Sequence, residues 1–173
     1  MDNLVTLVQL NRSIGLKPNE INSGIDDTLL FKLKEEVEGK CIKEGYAMPN
    51  SVEIVNRSLG EVQLSHFNGS MLYHCNFVVK VCNPNEGDVI QARVTNTNKM
   101  GILAVAGEGD PAPLNILLPA QYHLNNEDFH RIQQGDTTNV KIVGKRFDSG
   151  EQQISIIGII EESESSITSL EMS

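Results

Sequence analysis

The side chains best suited to chemistry are three cysteines, four histidines and the acidic residues, and their spacing limits what they can do. Cys41, Cys75 and Cys82 are odd in number and contain no Cys-x-x-Cys pair. Together with His66 and His74 they match no zinc signature, so they read as buried or half-buried thiols of a reducing compartment. Acyl or phosphoryl chemistry needs a nucleophile beside a base, or paired carboxylates. His66 and His74 fall in or beside a hairpin, and His123 and His130 in a polar crossover, where all four read as exposed polar residues. Gly107-Glu108-Gly109-Asp110 has half the glycine pattern of a phosphate loop, without the Lys-Ser/Thr or the helix that must follow. Asp26-Asp27 reads as a helix cap, and Glu108 with Asp110 as loop. The expectation is a protein that is not an enzyme and holds no cofactor or metal.

The second chemistry open to such a chain is phosphate binding by cations. The second half offers Arg93, Lys99, Lys141, Lys145 and Arg146, of which Lys145-Arg146 beside Phe147 is the best local cluster. Bulk charge opposes it: 14 Lys plus Arg stand against 23 Asp plus Glu, a net charge of −9 over 173 residues. That excludes a protein held on nucleic acid by its overall field, and it disfavours anionic membrane surfaces. The charge partitions as −2 over residues 1–83, −3 over 84–160 and −4 over 161–173. The last stretch, with Glu161-Glu162-Ser163-Glu164, reads as a solvated acidic tail. No apolar run is long enough to span a bilayer, and Met1-Asp2-Asn3-Leu4 lacks the basic and apolar regions of a signal peptide. The expected place is inside the cell, in solution.

The elements that must position these groups follow from periodicity. Residues 4–14 predict a first strand, and 15–24 a turn region with Gly15, Pro18 and Gly24. A helix follows, capped by Asp26 or Asp27, with Leu29, Leu30, Leu33 and Val37 on one face and Gly39 as its stop. Short strands are expected over 40–46 and 51–56, a long hairpin connection over 58–69, and the strongest strand over 71–82. Asn83-Pro84-Asn85-Glu86-Gly87 is the sharpest punctuation and marks a domain junction. Beyond it, strands are expected over 88–96, 102–106, 115–118, 138–144 and 152–160, with a short helix near 127–132 in the crossover. Five short strands with a long connection between the third and fourth fit a Greek-key barrel of the OB type. The fold class is therefore α+β. A helix-plus-antiparallel-sheet domain (1–83) precedes an OB-type barrel (84–162), and 163–173 is a flexible acidic tail.

Glu86-Gly87-Asp88-Val89 through Arg93-Val94, then Asn98-Lys99-Met100-Gly101-Ile102, resembles the opening of the OB domain named after ribosomal small-subunit protein one. The first half narrows this. Leu33-Lys34-Glu35-Glu36-Val37-Glu38-Gly39-Lys40-Cys41, then Glu44-Gly45-Tyr46, Gly69, the Asn83–Gly87 junction and the closing Ile156-Ile157-Gly158-Ile159-Ile160 resemble the stalk-subunit family of multisubunit RNA polymerases. That family comprises the seventh subunit of eukaryotic RNA polymerase II and its archaeal counterpart. The resemblance runs over roughly residues 5–162.

The resemblance implies a non-catalytic subunit. It docks on polymerase core subunits near the clamp and RNA exit channel, pairs with a fourth-subunit-type partner, and holds its barrel near nascent single-stranded RNA. The family's tip loops match residues 17–24 and 57–69, which makes Arg57, Leu59, Gly60 and Phe67 the candidate core contacts. RNA contacts would fall to Lys99, Lys141, Lys145, Arg146, Phe147 and Tyr122. The chain departs from the usual barrel, because Ile102-Leu103-Ala104-Val105 has no aromatic for base stacking. RNA contact should then be weak, or moved to Tyr122 and Phe129 in the crossover. The implied location is nuclear, or cytoplasmic or in the virion for a virus-encoded version. The alternative is a free OB-fold RNA-binding factor of the translation-initiation or RNA-decay class.

Overall fold

The computed structural model describes residues 4–65 and 68–161. The chain divides into two compact units. One is Asp2–Asn83 with Asp148–Gln152, and the other is built on Pro84–Phe147 and the chain from Gln153 onward.

The first unit is an antiparallel sheet with one helix across it. Its spine is β6 (Met71–Cys82), a twelve-residue strand. β1 (Val5–Leu16) pairs with β6 along its whole length, from Val5 opposite Cys82 to Leu16 opposite Met71. The other edge of β6 is shared by three short strands: β3 (Gly45–Ala47), β4 (Glu53–Arg57) and β5 (Glu61–Val62). Among the described residues, β2 (Cys41–Ile42) pairs only with β3. The expected strand over 40–46 is thus two strands folded back on each other, because Lys43 and Glu44 turn the chain. The connection over 58–69 likewise contains β5, where Glu61 and Val62 meet Leu72 and Met71.

Helix α1 (Ile25–Val37) carries the expected apolar stripe. Leu29, Leu33 and Val37 are fully buried against Ile14, Leu16, Tyr73, Cys75, Phe77 and Val79 of the sheet. Fully burying each such side chain is worth roughly 1.5–3 kcal/mol. The N-cap is Gly24, not an aspartate: Asn22 Oδ1 accepts from Gly24 N–H, and Asp26 and Asp27 lie inside the first turn. There they complement the positive end of the helix without capping it. Gly39 ends the helix at φ +71°, a conformation open to glycine.

The second unit is a closed barrel of β7 (Val89–Asn98), β8 (Gly101–Ala106), β9 (Leu114–Pro119), β10 (Thr137–Arg146) and β11 (Ile154–Ile160). The circuit runs β7-β8-β9-β11-β10 and back to β7, with β9 and β11 parallel and every other pair antiparallel. This is the connectivity of an OB-type fold. The interior is filled from all five strands by Ile90, Ala92, Ile102, Ala104, Leu114, Ile116, Leu118, Val140, Ile142 and Ile156. The corner after β7 requires glycine: a Cβ on Gly101 would lie 2.2 Å from Leu118 O, at φ +154°. Between β9 and β10 the crossover holds α2 (Glu127–Arg131), capped by Asn126, whose Oδ1 accepts from Phe129 N–H.

The expected acidic tail lies outside the described residues. Among the described residues, no helix is long and apolar enough to cross a membrane.

Candidate functional site

The expected docking residues gather around the end of β4. Arg57 lies over the Tyr73 ring, 5.6 Å from its centroid. Its Nε donates to Asp26 Oδ1, and its Nη1 donates to Ser58 O at 3.2 Å. The Asp26 carboxylate holds the guanidinium pKa above its ordinary value. Arg57 is therefore a clamp between β4 and the start of α1. Gly60 is a close-approach position, since a Cβ there would come within 2.8 Å of the Tyr73 ring and its hydroxyl. Leu59 is 87% exposed. Phe67 lies outside the described residues.

The sequence reading missed Leu64, 75% exposed on the same 58–65 segment, and the exposed Val62. Leu59, Val62 and Leu64 are thus three large exposed apolar side chains within the 58–65 segment. The signal was present in Gln63-Leu64-Ser65, a lone leucine between polar residues outside any amphipathic period.

The expected RNA-binding residues do not come together. Lys99 sits in the β7–β8 turn, where Asn98 Oδ1 accepts from Met100 N–H and Gly101 N–H. Ala120 N–H donates to Met100 O, which brings Tyr122, 56% exposed, beside that turn. Met100 next to them is 82% exposed, and nothing in the sequence pattern singles it out. Lys145, Arg146 and Phe147 lie beyond the opposite end of β7. β10 runs antiparallel to β7, and Ile142 already pairs with the residues before β7 through Asp88 O and Gly87 N–H. Lys141 lies between, on the outer face opposite Val89 and Ile159. Lys145 Nζ donates to Pro84 O at 2.7 Å, so the expected cation pair is partly engaged by the backbone. The barrel wall is sided: exposed Gln91, Arg93, Asn139 and Lys141 mark β7 and β10, while Leu117 and Ile157 pair directly across β9 and β11.

Two expectations for the crossover are corrected. His123 is 3% exposed, not a surface residue. Its Nδ1–H donates to Pro119 O at 2.7 Å and its Nε2 accepts from Ile160 N–H at 3.0 Å, the pattern of a neutral imidazole. Phe129, buried, stacks on it at 4.4 Å between centroids and 9° between planes. Phe129 is thus unavailable for base stacking. The pair ties the crossover to the end of β11, which a sequence cannot reveal because its partners are backbone groups 4 and 37 residues away.

The remaining reactive groups are structural. Cys41, Cys75 and Cys82 are free and buried. Burial, then Glu151, pushes the Cys41 thiol up to about 11, and burial also raises Cys75 and Cys82. Thiols held protonated are poor nucleophiles and poor ligands. Among the described residues no group of three or more Cys, His, Asp or Glu could hold a metal ion. Cross-strand register places Ser13 Oγ 2.7 Å from His74 Nδ1, with Glu61 3.8 Å from its Nε2. All three are exposed on the open face of the sheet, where Ser13 and His74 share a surface hydrogen bond and Glu61 stands beside the ring.

A helix-backed antiparallel sheet followed by a closed OB-type barrel defines the class: an α+β protein of two units, the second of OB type. Comparison with protein-family profiles finds no match. The chain is similar to a DNA-directed RNA polymerase II subunit RPB7 of Glycine max, 27% identical over 166 residues, covering 90% of this chain and 91% of the relative. A subunit rpb7 of Schizosaccharomyces pombe is 27% identical over 164 residues, covering 84% and 89%. A subunit 7 of Arabidopsis thaliana is 24% identical over 153 residues, covering 82% and 85%. These likenesses, together with the fold, support a stalk subunit of the RPB7 type.

Proposed function

We propose that the chain is a non-catalytic subunit of a nuclear DNA-directed RNA polymerase, acting in transcription. The observation that carries this reading is the end-to-end likeness to RPB7, which spans both units in one alignment. In this reading the 57–69 segment docks on the polymerase core near the clamp and RNA exit channel. Leu59 and Leu64 supply the apolar contacts, while Arg57 and Gly60 hold the loop in shape. A fourth-subunit-type partner completes the stalk. The barrel contacts emerging RNA weakly, since its cations are scattered over both ends and the wall between them, and Tyr122 is the exposed aromatic beside Lys99.

Affinity purification of the tagged chain from its source cell tests this. Co-purification with polymerase-sized subunits is the expected outcome, and a small free species overturns the reading. RNA contact is read separately. Charge reversal at Lys99 should weaken a single-stranded RNA gel shift only severalfold, and an unchanged titration removes that turn from the RNA surface.

A further inference from the structure

The edge of β4 that faces away from β6 has no strand partner among the described residues. Beside it, the first turns of α1 complete a groove of about 430 Å³ lined by Asp26, Asp27, Leu30, Val52, Ile54 and Val55. Leu30 and Ile54 are half-buried against the core and form an apolar floor, and Val55 is exposed. Asp26, Asp27 and Glu53 line the same groove as carboxylates, and the single cation among the lining residues, Arg57, is committed to Asp26. Asp27 and Glu53 are exposed and have no salt-bridge partner among the described residues.

A strand edge presents unpaired N–H and C=O groups, and an extended segment laid along it satisfies both. With an apolar floor below, alternate side chains of that segment would point between β4 and α1. We propose that this groove binds an extended segment of a partner protein, which adds a strand to β4. The segment carries apolar side chains toward Leu30 and Ile54 and Lys or Arg residues that meet Asp27 and Glu53. The carboxylates exclude a nucleic-acid backbone. A second copy of this chain is a poor occupant, because its own long free strand, β1, brings one cation, Arg12, in twelve residues. The inference uses residues apart from the 58–65 loop and does not depend on the polymerase reading.

The test uses the full chain and three synthetic seven-residue probes. One alternates lysine and valine, one replaces each lysine by glutamate, and one carries proline at the central valine. The expected result is binding of the lysine probe, with slowed amide exchange over residues 53–57. Binding of the glutamate and proline probes should be at least about tenfold weaker. The double variant D27K/E53K changes only exposed side chains, so it should fold, with a melt lowered only slightly by the lost carboxylate at the positive end of α1, while its preference between the charged probes inverts. Equal binding of both charged probes overturns the proposal. So does protection that falls outside residues 53–57, or a double variant with unaltered preference. None of these outcomes bears on co-purification with polymerase.

Discussion

Among the described residues, the first unit leaves the outer edges of β1 and β4 without strand partners, whereas the barrel pairs each of its five strands on both sides. The first unit also carries Leu59, Val62 and Leu64 on one surface loop. The barrel's chemistry is scattered, with Lys99 and Tyr122 at one end and Lys145 to Phe147 beyond the other. An open sheet backed by one helix keeps backbone and apolar groups available to other proteins, and a closed barrel does not. If the proposed docking holds, main-chain contacts fall to residues before Asn83, and the closed barrel offers side-chain contacts only.

Breaking barrel closure should have the largest effect. Gly101→Val puts a branched side chain where Leu118 O stands 2.2 Å from a bare Cβ, in a backbone conformation β-branched residues avoid. A loss of more than about 3 kcal/mol is expected in urea unfolding. A loss under about 1 kcal/mol would show that the corner relaxes easily. Next, His123→Phe keeps a ring against Phe129 but leaves Ile160 N–H and Pro119 O unpaired. The expected cost is about 1–3 kcal/mol.

A third test separates the first unit by pH. Burial holds the Cys41 thiol protonated up to about 11, against an ordinary 9.0 in the unfolded chain. The folded pKa is the higher one, so this stabilisation is complete below pH 9 and is lost as pH rises from 9 toward 11. Cys75, Cys82 and Tyr46 shift the same way, also through burial. Stability measured from about pH 8 to about pH 10.5 should fall, and Cys41→Ala should flatten the slope. The smallest stability effect belongs to Leu59→Asp with Leu64→Asp, within about 0.5 kcal/mol. That double variant should nevertheless fail to co-purify with polymerase. Retained co-purification would move the docking contact off this loop.

Local signals made much of this legible. The strand over 71–82, the helix stripe Leu29-Leu33-Val37 and the helix stop at Gly39 follow from period and backbone chemistry, and β6 and α1 match them. Boundaries failed where pairing decides them. A strand over 40–46 and a β2–β3 hairpin have the same composition, and only the docking of Tyr46 and Ala47 against Cys82 and Val81 separates them.

The candidate site divides in the same way. The sequence by itself determined the acidic balance, the α+β class with its OB-type barrel, the resemblance to a stalk subunit and the loop that carries Leu59. Those rest on residue type and local order, which a chain carries before it folds. Only the tertiary structure decided that Arg57 is spent on Asp26, that Lys145 is held by Pro84 O, that His123 is buried with both nitrogens satisfied, and that the free edge of β4 borders an acidic groove. Most of these depend on a partner tens of residues away or on a strand edge left uncovered, and long-range pairing fixes that, not local sequence.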